Sequence, residues 1–178
     1  MVIFRCGDDV ADDEMFLLTK VLGLLDHEIK DINAKIKVAV DPESDGLLDE
    51  GEFFIGTGFV CIQRYLVSTS AALGVKQHAA YAVLPHVNET LTFAQALNAA
   101  ANFWKHSEEW HEILGKSGAD GLSAQALKTL STLEKATPWD CYTCANLLWI
   151  LVKSKELELS NLLPLLVEWR DNLIDGIP

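Results

Sequence analysis

In the stretch "MFLLTKVLGLLDHEIKDINAKIKVAV", Leu18, Leu22, Leu25, Ile29, Ile32 and Ile36 follow one another at spacings of 4, 3, 4, 3 and 4. With 3.6 residues per turn, these side chains form one apolar stripe down a long helix. Such a stripe has to be covered, so the chain must supply partners for it. The next apolar segment, "EFFIGTGFVCIQRYLVSTSAAL", is hydrophobic almost all round, which predicts a central, deeply buried helix. Gly56 and Gly58 would weaken it in isolation, and a closely approaching neighbour is the expected compensation. Asp8, Asp9, Asp12 and Asp13 stand at the start of the first helix, where the helix dipole favours negative charge.

The period continues to the C-terminus. Residues 74–88 read as a connection with room for a short helical turn, ending around Pro85. Thr92 and Gln95 form a capping box for a third helix running to about residue 114. "GKSGADG" is a turn, and a short fourth helix follows over about 123–135. "TPWD" predicts a restart with Thr137 as N-cap, Pro138 at the first position and Asp140 at the third. This fifth helix carries Cys141 and runs to about 155. A sixth starts near Ser160, with Pro164 tolerated in its first turn. Only "VIF" and "KVAV" suggest extended pieces, and there is no internal repeat. The expectation is all-α: one domain over 1–178, an antiparallel bundle of five to six helices with an acidic loop between the first two.

The formal charge is -12, and residues 1–60 hold 14 acids against 5 bases. Nucleic-acid backbones are bound by clustered Lys and Arg, so nucleic acid is an unlikely partner and a basic protein is the expected one. No apolar run reaches the length of a membrane span. The N-terminus lacks a cationic start followed by an apolar region, so a cytoplasmic protein is expected. The four Cys then read as reduced thiols.

Three local motifs could carry chemistry. The loop "DPESDGLLDEGE" resembles an EF-hand calcium loop read from Asp41. Asp41, Glu43, Asp45 and Asp49 supply oxygens at positions 1, 3, 5 and 9, Gly46 stands at 6 and Glu52 at 12. Glu43 and Pro42 depart from the pattern, and no second loop pairs with it. No cofactor is expected, with calcium as the alternative. Cys141 and Cys144 form a lone CxxC without the further ligands of a zinc site. Glu108 and His111 form a single Glu-x-x-His, where di-iron bundles use two.

The densest motif is "ALNAAANFWKHSEEWHE". Projected on a helix, Phe93, Leu97, Ala100, Trp104 and His111 fall near one face, and Asn98, Asn102, His106 and Glu109 on a neighbouring stripe. A half-buried polar stripe must be hydrogen-bonded, so it braces a neighbouring helix or lines a cleft. Gln63 and Arg64, the amide and the cation of the apolar second helix, are the expected partners across the gap.

"NFWKH" is similar to the core of HEPN-domain proteins, helical bundles that include many ribonucleases. Asn102 and His106 match the Asn and His of that motif in spacing, and Ala101 stands where the motif has Arg. The resemblance covers one helix. It implies a ribonuclease with His106 as acid/base, Asn102 as orienter, and Lys105 or Arg64 on phosphate. The missing Arg argues against activity. The expectation from sequence is therefore a non-enzymatic acidic bundle binding a basic protein, as an immunity or antitoxin-type inhibitor binds a toxin or nuclease. An atypical ribonuclease and a calcium-binding protein are the alternatives, and a homodimer is the alternative assembly.

Overall fold

The computed structural model describes residues 3–6, 9–139, 141–153 and 156–176. It is an all-α helical bundle with seven helices among the described residues: α1 (Asp13–Ile36), α2 (Leu47–Ala72), α3 (Gln77–Ala80), α4 (Phe93–Ser117), α5 (Ala124–Leu133), α6 (Thr143–Val152) and α7 (Leu163–Asp175). The helix beyond the expected five to six is α3, a single turn inside the 74–88 connection. Two small antiparallel hairpins complete it: β1 (Ile3–Cys6) with β2 (Asp9–Asp12), and β3 (His86–Asn88) with β4 (Leu91–Thr92). Val2 lies outside the described residues, and Ile3 and Phe4 of "VIF" thus enter a strand. "KVAV" does not: the N–H groups of Lys37, Val38 and Ala39 bond back to carbonyls of the last turn of α1.

The α1 stripe is buried as its spacing requires, with Leu18, Leu22, Ile29 and Ile32 inside. Asp12 is the N-cap, its Oδ1 accepting the Met15 N–H at 2.9 Å. Its Oδ2 accepts the Tyr65 hydroxyl of α2 at 2.7 Å and an N–H of Arg170 of α7 at 3.2 Å. One carboxylate therefore ties three helices together. Asp8 lies outside the described residues.

Helix α2 packs against α1, α4 and α6. Its glycines do what their position requires. A Cβ on Gly56 would lie 2.3 Å from the Trp104 ring of α4, and one on Gly58 2.3 Å from a Leu159 methyl. The capping box of α4 is present: Thr92 Oγ1 accepts the Gln95 N–H at 3.2 Å, and Gln95 Oε1 accepts the Thr92 N–H at 3.1 Å. Phe93, Leu97 and Ala100 are buried, and so is Phe103. Trp104 is only half-buried, and His111 is exposed on the rim, stacked against Trp139.

Two expected helix starts are corrected. Helix α2 begins at Leu47 rather than near Glu52, after Gly46 turns the chain with φ 72°. The second half of the acidic loop is therefore helical. Helix α6 begins at Thr143, with Tyr142 in the left-handed region at φ 46°, and not after Thr137. Residues 137–139 are held back on α5 instead, because Trp139 Nε1 donates to Glu134 at 2.9 Å. The last helix follows a 3₁₀ turn (Leu159–Leu162), with Pro164 in its first turn as expected.

The glycine contacts give a direct test. Gly56→Ala should lower stability by about 1–2 kcal/mol, because the rigid Trp104 ring cannot yield to a methyl. Gly23→Ala, in α1 with nothing within 4 Å of a new Cβ, should raise it by about 0.5–1 kcal/mol through helix propensity. Urea denaturation of both variants measures the contrast; equal effects would contradict the packing.

Candidate functional site

The polar side of α4 meets α2 through one bridging amide. Gln63 Nε2 donates to Asn98 Oδ1 at 2.8 Å and Asn102 Oδ1 at 3.0 Å, and Lys105 Nζ donates to Gln63 Oε1 at 2.8 Å. The ammonium group only donates, so it fixes which end of Gln63 faces it. Nε2 must then face the two asparagines, and each asparagine must turn its oxygen inward. The expected brace across helices thus exists at Gln63, Asn98 and Asn102.

The same residues line an open cleft of about 640 Å³ between α2, the 77–90 region, α4 and α5. Six carboxamides line it: Gln63, Gln77, Gln95, Asn98, Asn102 and Gln125. Three lysines join them: Lys105, Lys128 and Lys135. Among the described residues no carboxylate lines it, although the chain carries -12. Gln95, Asn98, Asn102 and Lys105 are spaced 3, 4 and 3, one stripe on α4. The sequence stripe is thereby shifted: Gln95 and Lys105 belong to the cleft and were legible at that spacing. Gln77, Gln125, Lys128 and Lys135 come from other elements and carried no local signal.

His106 and Glu109 fall beside the cleft. His106 Nδ1 lies 3.4 Å from Glu109 Oε2, and its ring stacks on Trp110 with centroids 5.7 Å apart. Together with Asn102 they line a second, shallower groove against α5. Arg64, expected across the gap, is exposed and lies outside the cleft: it follows Gln63 by one residue, which turns it about 100° away on the helix. Ala101, at the Arg position of the HEPN motif, is fully buried.

The acidic loop is organised for packing. Asp41 accepts the Ser44 N–H at 3.1 Å and the Ser44 hydroxyl at 2.7 Å, and this lowers its pKa. Glu52, the expected bidentate calcium ligand, points across the bundle to α6. Its two oxygens accept the N–H groups of Cys144 and Ala145 at 2.7 and 2.8 Å. Glu43, Asp45 and Asp49 are exposed. Helix α2 thus starts inside the loop, and Glu52, its twelfth position, is bonded to backbone N–H groups 92 residues away in sequence. Among the described residues no group of three or more His, Cys, Asp or Glu is placed to hold a metal ion. Cys144 is buried, and burial together with the nearby Glu52 keeps its thiol protonated; Cys141 is exposed. Glu108 and His111 are both exposed.

A second surface feature lies on α1. Phe16, Leu17 and Leu24 are 60, 58 and 72% exposed, and Val21 joins them. Leu17, Val21 and Leu24, spaced 4 and 3, form an exposed apolar stripe that flanks the buried one, with Asp13, Glu28 and Asp31 exposed on the same side; Phe16 stands about 100° further round the helix, under Lys20. No helix among the described residues is long and apolar enough to cross a membrane. No protein-family model, curated protein or solved structure matches the chain.

Glu52 offers a pH test. Burial raises its pKa above the ordinary 4.5, against the lowering effect of the two N–H bonds. A carboxyl with a raised folded pKa binds its proton more tightly folded than unfolded. Its contribution to stability is thus fully present below about pH 4.5 and is lost as pH rises through the folded value. Glu52→Gln, permanently neutral, should fold and should remove that part of the slope. Glu52→Ala should cost about 1–3 kcal/mol by leaving the N–H pair unmet. Denaturation series from roughly pH 4.5 to 7 read both; parallel curves for wild type and Glu52→Gln would contradict the reading.

Proposed function

We propose that this protein is a non-enzymatic binding protein that docks a basic protein partner on the outer face of α1. The observation that carries it is the unburied apolar side of α1, the Leu17, Val21 and Leu24 stripe with exposed Phe16 further round the helix. A contiguous exposed apolar surface rimmed by charge marks an interaction site. The stripe sits in the acidic third of the chain. Three of its 14 acids, Asp12, Asp26 and Glu52, are consumed internally, but Asp13, Glu28 and Asp31 remain exposed on α1. Two copies of a chain at -12 repel, which favours a partner of opposite charge over a homodimer. An immunity or antitoxin-type inhibitor that covers a basic toxin or nuclease has this chemistry.

The ribonuclease alternative draws support from the exposed His106–Glu109 pair beside Asn102 in the shallow groove. Weighing against it, a buried Ala101 stands where the motif has Arg, and Arg64 lies outside the cleft. Cleavage of total RNA by wild type and His106→Ala decides this alternative; equal cleavage, or none, removes it.

The docking reading is tested by affinity capture from the cells that make the protein, at low salt, with wild type and a Leu17→Asp/Leu24→Asp variant. Both positions are exposed, so folding should be unaffected. The expected result is one strongly basic protein held by wild type, released by roughly 0.5 M salt and lost with the variant. Equal capture by the variant contradicts it. So does dimerisation of the wild type that the variant abolishes.

A further inference from the structure

The cleft between α2, α4 and α5 shows a one-sided hydrogen-bonding character. Because Asn98 and Asn102 turn their oxygens to Gln63 Nε2, each leaves its Nδ2 amino group for the cleft side. Gln95 does the same by a different route. Its Oε1 is held by the Thr92 N–H in the capping box, which leaves Nε2 as the outward group. Lys105 spends one ammonium proton on Gln63 and keeps two. Gln95, Asn98, Asn102 and Lys105 thus form a ladder of donors along one stripe of α4. It covers ten residues, or about 15 Å of helix.

The surroundings reinforce that polarity. Lys128 and Lys135 add two exposed cations, and Thr129 and Thr132, whose hydroxyls donate to the Gln125 and Lys128 carbonyls, add acceptors. No carboxylate among the described residues offsets them. A cleft of about 640 Å³ falls in the size range of small-molecule sites. A ligand complementary to it presents acceptors and negative charge to the α4 ladder and the lysines, and hydroxyls to the threonines and free amides.

We infer that the α4 cleft binds a phosphorylated, hydroxyl-bearing small molecule, with Asn98, Asn102 and Lys105 donating to its oxygens and Lys128 and Lys135 matching its charge. Sugar phosphates and nucleoside monophosphates share this chemistry. The site lies away from the outer face of α1 and stands independently of the docking reading.

Titration calorimetry on the full chain at low salt, with glucose 6-phosphate, AMP and glucose as probes, tests it. At least one phosphate should bind saturably, and glucose should not. Asn102→Asp, which replaces a donor by an acceptor at unchanged size, and a Lys128→Ala/Lys135→Ala variant should each weaken binding by about tenfold or more. The lysines are exposed, so the second variant should keep the wild-type melting temperature. The inference fails if neither phosphate binds up to about 10 mM or if glucose binds as well as they do. It also fails if either variant leaves affinity unchanged. A short single-stranded RNA held at least about tenfold tighter than AMP would reassign the cleft to nucleic acid. The Leu17→Asp/Leu24→Asp variant should bind the phosphate like wild type, which separates this result from that of the docking test.

Discussion

The second half of the bundle is held by carboxylates of the first half that cap helix starts in place of local side chains. Glu52 of α2 accepts the N–H groups of Cys144 and Ala145 at the start of α6. Asp26 of α1, 3% exposed, accepts those of Leu159 and Ser160 and the Ser160 hydroxyl at the turn leading into α7. A helix start leaves backbone donors unpaired, and neither α6 nor α7 has a side-chain cap of its own. The donors and the helix dipole offset part of the cost of burying a carboxyl group at such a terminus. Removing either partner leaves the other unmet in a low-dielectric setting, which is why these contacts fix where α6 and α7 sit.

Given those anchors, α2 can serve as the axis. Its glycines admit Trp104 and Leu159 at distances no side chain would permit, so α4 and the α7 entry approach closely. Helix α4 then has its apolar face on α2 and its amide stripe at the edge of the contact. Gln63 joins the two there, and the chain does not close over the stripe. The cleft follows from this arrangement: the amide face of α4, beside its buried face, is satisfied partly by Gln63 and partly left open.

The charge distribution has two opposite expressions. The acidic first third spends part of its charge inside, on helix starts and on Arg170, and shows the rest on α1 beside exposed apolar side chains. The cleft, in the same molecule, gathers lysines and amide donors and has no acid on its walls among the described residues. A net charge read from composition averages over both. The two surfaces therefore ask for ligands of opposite sign.

The helices, the capping box at Thr92, the need for close approach at Gly56 and Gly58, and the polar stripe on α4 were legible in the sequence. Each depends on neighbours within about two turns, where helical period and propensity act directly. The destinations of Glu52 and Asp26, the outward turn of Arg64 and the start of α6 at Thr143 were not. They are set by pairings across 92 and 133 residues, for which a local pattern carries no information. The N-cap motif at Thr137 was overridden closer by, by the Trp139 indole bonding back to Glu134. The sequence by itself thus determined that the chain forms a helical bundle with a polar seam on α4. Only the tertiary structure decided that the seam faces a cleft with its donors outward, because the orientation of each amide depends on a lysine and a glutamine brought together from different helices.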